Sequence, residues 1–170
     1  PQSFLLYLPK DIVAGDFYWI EVVNKDNLLI AAADCTGHGV PGALVSVVCS
    51  NALNRTVKEF EITDLGKILD KTRELVVETF ERSETEVKDG MDISLCLLNK
   101  KTKQLEWAGA NNPLWIVRNS EIIVFKPNKQ AIGKVDKPAL YETHKVKLEK
   151  DDNIYIFTDG YADQFGGPSG

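Results

Sequence analysis

The stretch from Leu28 to Gly42 constrains the fold of this chain more than any other: an apolar run, Leu28-Leu29-Ile30-Ala31-Ala32-Ala33, stops at Asp34 and passes into Cys35-Thr36-Gly37-His38-Gly39-Val40-Pro41-Gly42. A short apolar run followed by glycines reads as a strand buried on both faces. This one ends in a carboxylate. Desolvation penalises an unpaired charge so heavily that a buried carboxylate either takes up a proton or finds a cation. No lysine or arginine stands within the stretch, which points to a metal ion as the counter-charge.

The theme returns twice. Gly15-Asp16 opens Phe17-Tyr18-Trp19-Ile20-Glu21-Val22-Val23, a run with the aromatic and β-branched bias of a strand, and Ile154 to Phe157 ends in Thr158-Asp159-Gly160. The turn from Asn24 to Asn27 predicts a hairpin, and in an antiparallel pair with so short a turn Asp16 and Asp34 reach the same rim. Acids gathered at one sheet edge repel unless a multivalent cation lies among them, and all-oxygen donors select Mg²⁺ or Mn²⁺ over zinc or copper. Two such ions would clamp a phosphoryl group for in-line attack, which describes a hydrolase.

Composition narrows the partners. With 170 residues, 44% of them hydrophobic and 26% charged, the chain suits one domain with a proper core. A net charge of -5 argues against a nucleic-acid partner. No apolar run approaches the roughly 20 residues a bilayer requires. Three cysteines, Cys35, Cys49 and Cys96, are odd in number and form no paired motif, which fits reduced thiols in a cytoplasm. The start at Pro1 suggests a piece of a longer protein.

Along the chain, periodicity predicts one helix after Gly42 through Val57 and a second over Leu65 to Phe80, capped by Thr63 or Asp64. Glu81 to Gly90 reads as a polar loop. Strands follow at Met91 to Leu98, Gln104 to Ala108, Leu114 to Val117, Ile122 to Phe125 and Thr143 to Leu148, the last as hairpin partner of Asn153 to Phe157. Trp19, Trp107 and Trp115 read as core or sheet-face aromatics, His144 as solvent-facing, and Asp163 as a surface acid.

Gly15-Asp16-Phe17-Tyr18, Asp34 with Gly37-His38-Gly39, Gly90-Met91-Asp92, Gly109-Ala110-Asn111-Asn112-Pro113-Leu114, Ile132-Gly133 and Phe157-Thr158-Asp159-Gly160 resemble, in order and spacing, the SpoIIE-type branch of the PPM-class metal-dependent protein serine/threonine phosphatases. The resemblance runs from about Leu8 to the last residue. It implies an α+β fold: a four-layer α/β/β/α sandwich of two antiparallel sheets flanked by helices, as a single domain over residues 1–170. It also implies two Mn²⁺ or Mg²⁺ ions and, as substrate, phosphoserine or phosphothreonine on a bacterial regulatory protein of the anti-sigma-factor antagonist type. A metal-bridging water would be the attacking group. Carried over by position, Asp34 would bridge the ions, Asp16 would bind the second, Asp159 the first, the carbonyl of Cys35 would add a ligand, and Asp92 matches the region of a third, weaker ion. His38 stands four residues after Asp34, where the eukaryotic-type relatives place an acid histidine two residues on. Relatives continue past Thr-Asp-Gly through helices and a last strand with another metal-binding aspartate. This chain stops at Gly170, so the resemblance implies a truncated domain with weak or absent turnover. It also implies a sensor domain ahead of the chain.

Three other readings compete. Asp34 would merely cap the following helix. Gly37-His38-Gly39-Val40-Pro41-Gly42 satisfies the dinucleotide fingerprint, with Glu59 or Glu61 about 20 residues on, as a Rossmann-like domain requires. An inactive phosphatase-like module would bind a partner without turnover.

Overall fold

The structure, a computed structural model, describes residues 2–9, 11–81 and 89–161. The polar stretch expected as a loop lies mostly outside these, as does Asp163. Eight strands and two helices follow the order β1 (Phe17–Val22), β2 (Asn27–Cys35), α1 (Gly39–Lys58), α2 (Leu65–Glu81), β3 (Met91–Asn99), β4 (Gln104–Ala110), β5 (Leu114–Arg118), β6 (Glu121–Phe125), β7 (His144–Lys147) and β8 (Asn153–Ile156), with a 3₁₀ turn at Asp159–Tyr161. They form two antiparallel sheets, ordered β1-β2-β3-β4-β7 and β6-β5-β8. The α+β sandwich expected from the sequence is the observed architecture.

Both helices cover one face of the larger sheet. Their apolar stripes, Val45, Cys49 and Leu53 on α1 and Leu65, Ile68, Leu69 and Val76 on α2, meet Leu29, Ala31, Ala33, Ile93 and Leu95 of the central strands in the main core. The opposite face meets the smaller sheet in a second cluster of Cys96, Leu105, Trp107, Leu114, Ile116 and Val146. Buried strands such as β2 read as nearly unbroken apolar runs because both of their faces are covered. Trp19 and Trp107 are core residues whose indole N–H groups donate to Asn54 and Ser94, as buried tryptophans require.

Three expectations need correction. The segments around residues 143–148 and 153–157 are not hairpin partners: β7 pairs with β4 in the larger sheet and β8 with β5 in the smaller. Their short polar link turns a corner between layers, held by Arg118 at the end of β5, which donates to Glu149, to Asp152 and to the Lys147 carbonyl. Helix α1 begins at Gly39, not after Gly42, because Pro41 falls in the first turn, where its missing N–H costs nothing; its N-cap is His38, so Asp34 does not cap it. His144 is half-buried with its ring tilted against Trp107 at 5.3 Å, not turned to solvent. The cap of α2 is Asp64, whose Oδ1 accepts from the Lys67 N–H at 3.0 Å.

The dinucleotide-binding reading falls on topology. The named strands pair only antiparallel, whereas that fold needs a parallel sheet with crossover helices.

Candidate metal centre

Sheet register builds the site. Phe17 stands opposite Ala33, so one step further out the ladder carries Asp16 beside Asp34. Asp34 stands opposite Asp92. Ile93 stands opposite Ala110, so the next step carries Asp92 beside Asn111. Because side chains alternate along a strand, these four share the face of Cys96 and Trp107, the face turned to the smaller sheet. One row, Asp16-Asp34-Asp92-Asn111, thus crosses the end of the larger sheet at the mouth of the cleft between the layers. Asp159 arrives from the other side, just beyond β8.

Glycines make the approach possible on the β1 side. A Cβ on Gly15 would stand 2.7 Å from the Gly37 carbonyl oxygen and 2.9 Å from that of Cys35, and a Cβ on Gly42 would collide with the Gly37 carbonyl. Only bare backbone lets the segment carrying Asp16 lie against the end of β2 and the start of α1. The carbonyl of Cys35 is accordingly part of this junction, two peptides from the Asp34 side chain. The Cys35 thiol lies away in the core, where its contact with Cys49, then burial, push it far above the ordinary thiol range.

Asp34 is the electrostatic centre. Burial first, then the charge and hydrogen bonding of Asp16 and of Asp159, push its carboxyl up to about 8. Asp16 Oδ2 also accepts from the Thr158 hydroxyl at 2.7 Å, which ties the two sheets together at the site. Asp92 is raised by burial, with Asp159 adding to the shift and the Asn111 amide, at 2.8 Å from Oδ1, opposing it. The structure therefore brings together Asp16, Asp34 and Asp159, with Asp92 beside them. His38 stands apart, exposed, 3.5 Å from Asp11.

Among the described residues no three acidic, histidine or cysteine side chains are drawn into a ready-made cage. The donor set nevertheless fits a hard divalent cation. Asp34 stands in register with Asp16 on one side and Asp92 on the other, and Asp16 and Asp159 both push its carboxyl up with no lysine or arginine opposing them; this is a surplus of oxygen donors that a cation would separate and neutralise. Sequence reasoning passed over two members of the site, Thr158 and Asn111. Both lie inside segments it had singled out, and a signal existed for Asn111 in the Asn-Asn-Pro that follows a strand, a pattern suited to a left-handed turn residue.

The sandwich of two antiparallel sheets is the fold of solved PP2C domains. The SiaA-PP2C domain of Pseudomonas aeruginosa superposes with a TM-score of 0.83 at 32% identity, over 96% of this chain and 63% of that one. The RsbU and RsbW domains of a Mycobacterium tuberculosis protein match with a TM-score of 0.71 at 17% identity, over 94% of this chain and 42% of theirs. RsbX, solved in complex with magnesium, matches with a TM-score of 0.64 at 21% identity, over 89% and 69% of the two chains. The profile of the family described as Stage II sporulation protein E (SpoIIE) matches residues 24–169, and the chain belongs to that family. A search of curated proteins returns no match. The chain spans less than two thirds of the SiaA domain's length.

Proposed function

We propose that this chain forms most of the catalytic domain of a metal-dependent protein serine/threonine phosphatase, with Asp34, Asp16 and Asp159 as the acids that hold two Mn²⁺ or Mg²⁺ ions, helped by the Cys35 carbonyl, and Asp92 at the edge of the site. The observation that carries the reading is the strand register that sets Asp16, Asp34 and Asp92 in one row at the sheet end, with Asp34 half-buried at its centre. Divalent ions bound there would lower the pKa of a coordinated water and offset charge on a phosphoryl group. The chain's own part is to hold the acids in register: β2 and β3 fix Asp34 opposite Asp92, and Thr158 anchors Asp16 across the cleft.

The substrate class we propose is phosphoserine or phosphothreonine on a bacterial regulatory protein of the anti-sigma-factor antagonist kind, in a cytoplasmic setting and under a sensor domain elsewhere in the protein. The fold shared with RsbU and RsbX domains supports it, as do three cysteines that are buried and free. No helix among the described residues is long and apolar enough to cross a membrane. The test is release of phosphate from a phosphoserine peptide by the full-length protein with and without Mn²⁺. Release that needs Mn²⁺ and vanishes in Asp34→Asn is the expected result; release indifferent to either overturns the proposal.

A further inference from the structure

Asn111 occupies the fourth place of the acid row, and its backbone has a left-handed φ of 57°. That conformation is costly for most residues and least so for glycine and asparagine. It is fixed from two sides. The Asn111 N–H donates to the Asn128 carbonyl at 3.0 Å, and the Asn128 N–H returns to the Gly109 carbonyl at 2.9 Å. Asn128 is itself held, its side chain bonding to the Leu140 carbonyl and the Glu142 N–H. A few residues further on, Ile132 exchanges both backbone hydrogen bonds with Met91, the neighbour of Asp92. The segment from Asn128 to Ile132 thus braces the end of β4 and the start of β3 together, and the outcome at the rim is one contact: Asn111 Nδ2 donates to Asp92 Oδ1 at 2.8 Å.

We propose that Asn111 is a positioning residue for the metal centre: its amide pins Oδ1 of Asp92, so that the carboxylate is presented to a divalent cation in one orientation. This rests on the metal-centre reading above. The choice of an amide has a reason. A carboxylate at this place would add charge to a rim that already carries Asp16, Asp34, Asp92 and Asp159, and would offer Asp92 no donor. A neutral N–H fixes the ligand without that repulsion, as partners of metal-binding carboxylates commonly do. Strain at the left-handed position is sustained because both backbone neighbours and the side chain are committed at once.

The test is Mn²⁺ binding in the full-length protein, read from the electron paramagnetic resonance signal of free Mn²⁺. Asn111→Gly keeps the left-handed backbone and deletes the amide, and Asn111→Asp keeps shape and deletes the donor, so the side chain is examined without disturbing the turn. Both are expected to weaken Mn²⁺ binding by about 10-fold, the lower end of what loss of such a partner costs, with the circular dichroism spectrum unchanged. Asp92→Asn should lose at least as much, and Asn111→Gly combined with Asp92→Asn no more than Asp92→Asn alone, because the two act through one carboxylate. Wild-type binding in both Asn111 variants, or losses that multiply in the double variant, overturns the positioning role and leaves the metal centre standing. No Mn²⁺ uptake by the unsubstituted protein overturns the metal centre and this role together.

Discussion

Asp34 and Asp152 are both carboxylates drawn out of water, and the fold treats them in opposite ways. Asp152, at the corner between the two sheets, has a side chain only 2% exposed. It accepts from Arg118 Nε at 2.8 Å and Nη2 at 2.7 Å and from the Glu149 N–H at 2.8 Å. The Arg118 guanidinium is the main cause that holds its carboxyl below the usual range. Asp34, at the cleft mouth, has acids for neighbours and is pushed up to about 8 by burial and by Asp16 and Asp159. The corner carries its own cation, Arg118; among the described residues no lysine or arginine offsets the charge at the rim. A structural acid is neutralised by the chain, because a bidentate arginine partner offsets the desolvation of both groups. An acid left among its own kind is poised for something the chain does not encode, and that asymmetry separates the scaffold from the site.

Asp34→Asn is the sharpest way to break the contrast. In the full-length protein it should abolish Mn²⁺-dependent phosphate release, with a loss on the order of 10³-fold or more if the ions supply both nucleophile and charge. Its stability should move the other way. Without metal, the raised folded-state pKa means that the native chain holds a proton the unfolded chain has released between about pH 4 and pH 8. Wild-type stability therefore falls as pH rises through that window, and Asp34→Asn should remove the slope and melt higher than wild type at pH 8. A thermal scan across pH checks it; equal slopes would mean that Asp34 is not crowded by its neighbours.

Next in size is Arg118→Ala. It strips Asp152 and Glu149 of their partner at once and frees the Lys147 carbonyl, so the thermal midpoint should fall by several degrees while Mn²⁺ binding stays as in wild type. Loss of metal binding there would show that corner and rim are not independent. The smallest effect belongs to acid. Because Asp152 is held below its unfolded value, its contribution is complete above about pH 4 and lost as pH falls further. In Asp152→Asn that part of the acid limb should flatten, measured as midpoint against pH from 5 to 2.

Much of this was legible in the residues. Strands β1 to β6 and both helices fall within a few residues of where alternation, apolar runs and caps place them, because local periodicity reports which faces are buried. The rim acids were legible for the same reason: a carboxylate that ends a buried run is an exception to binary patterning. What misled was the link after β7. Glu149 to Asp152 has the length and polarity of a hairpin turn, yet β7 and β8 separate into different sheets. The partner that settles it, Arg118, lies 31 residues or more away in sequence. The link between Asn111 and Asp92 was hidden likewise, since it depends on β4 ending in register with the start of β3.

The sequence by itself determined which segments are strand and which helix, and that an aspartate opens one of the apolar runs and closes two others; those follow from burial and backbone preferences acting over a few residues. Only the tertiary structure decided that Asp92 and Asn111 extend the Asp16–Asp34 pair into one row, that Asp159 closes on it from the second sheet, and that Thr158 and Asn111 hold two of the acids in place. Register between strands far apart in the chain is fixed by packing of whole layers, and no local pattern carries that information.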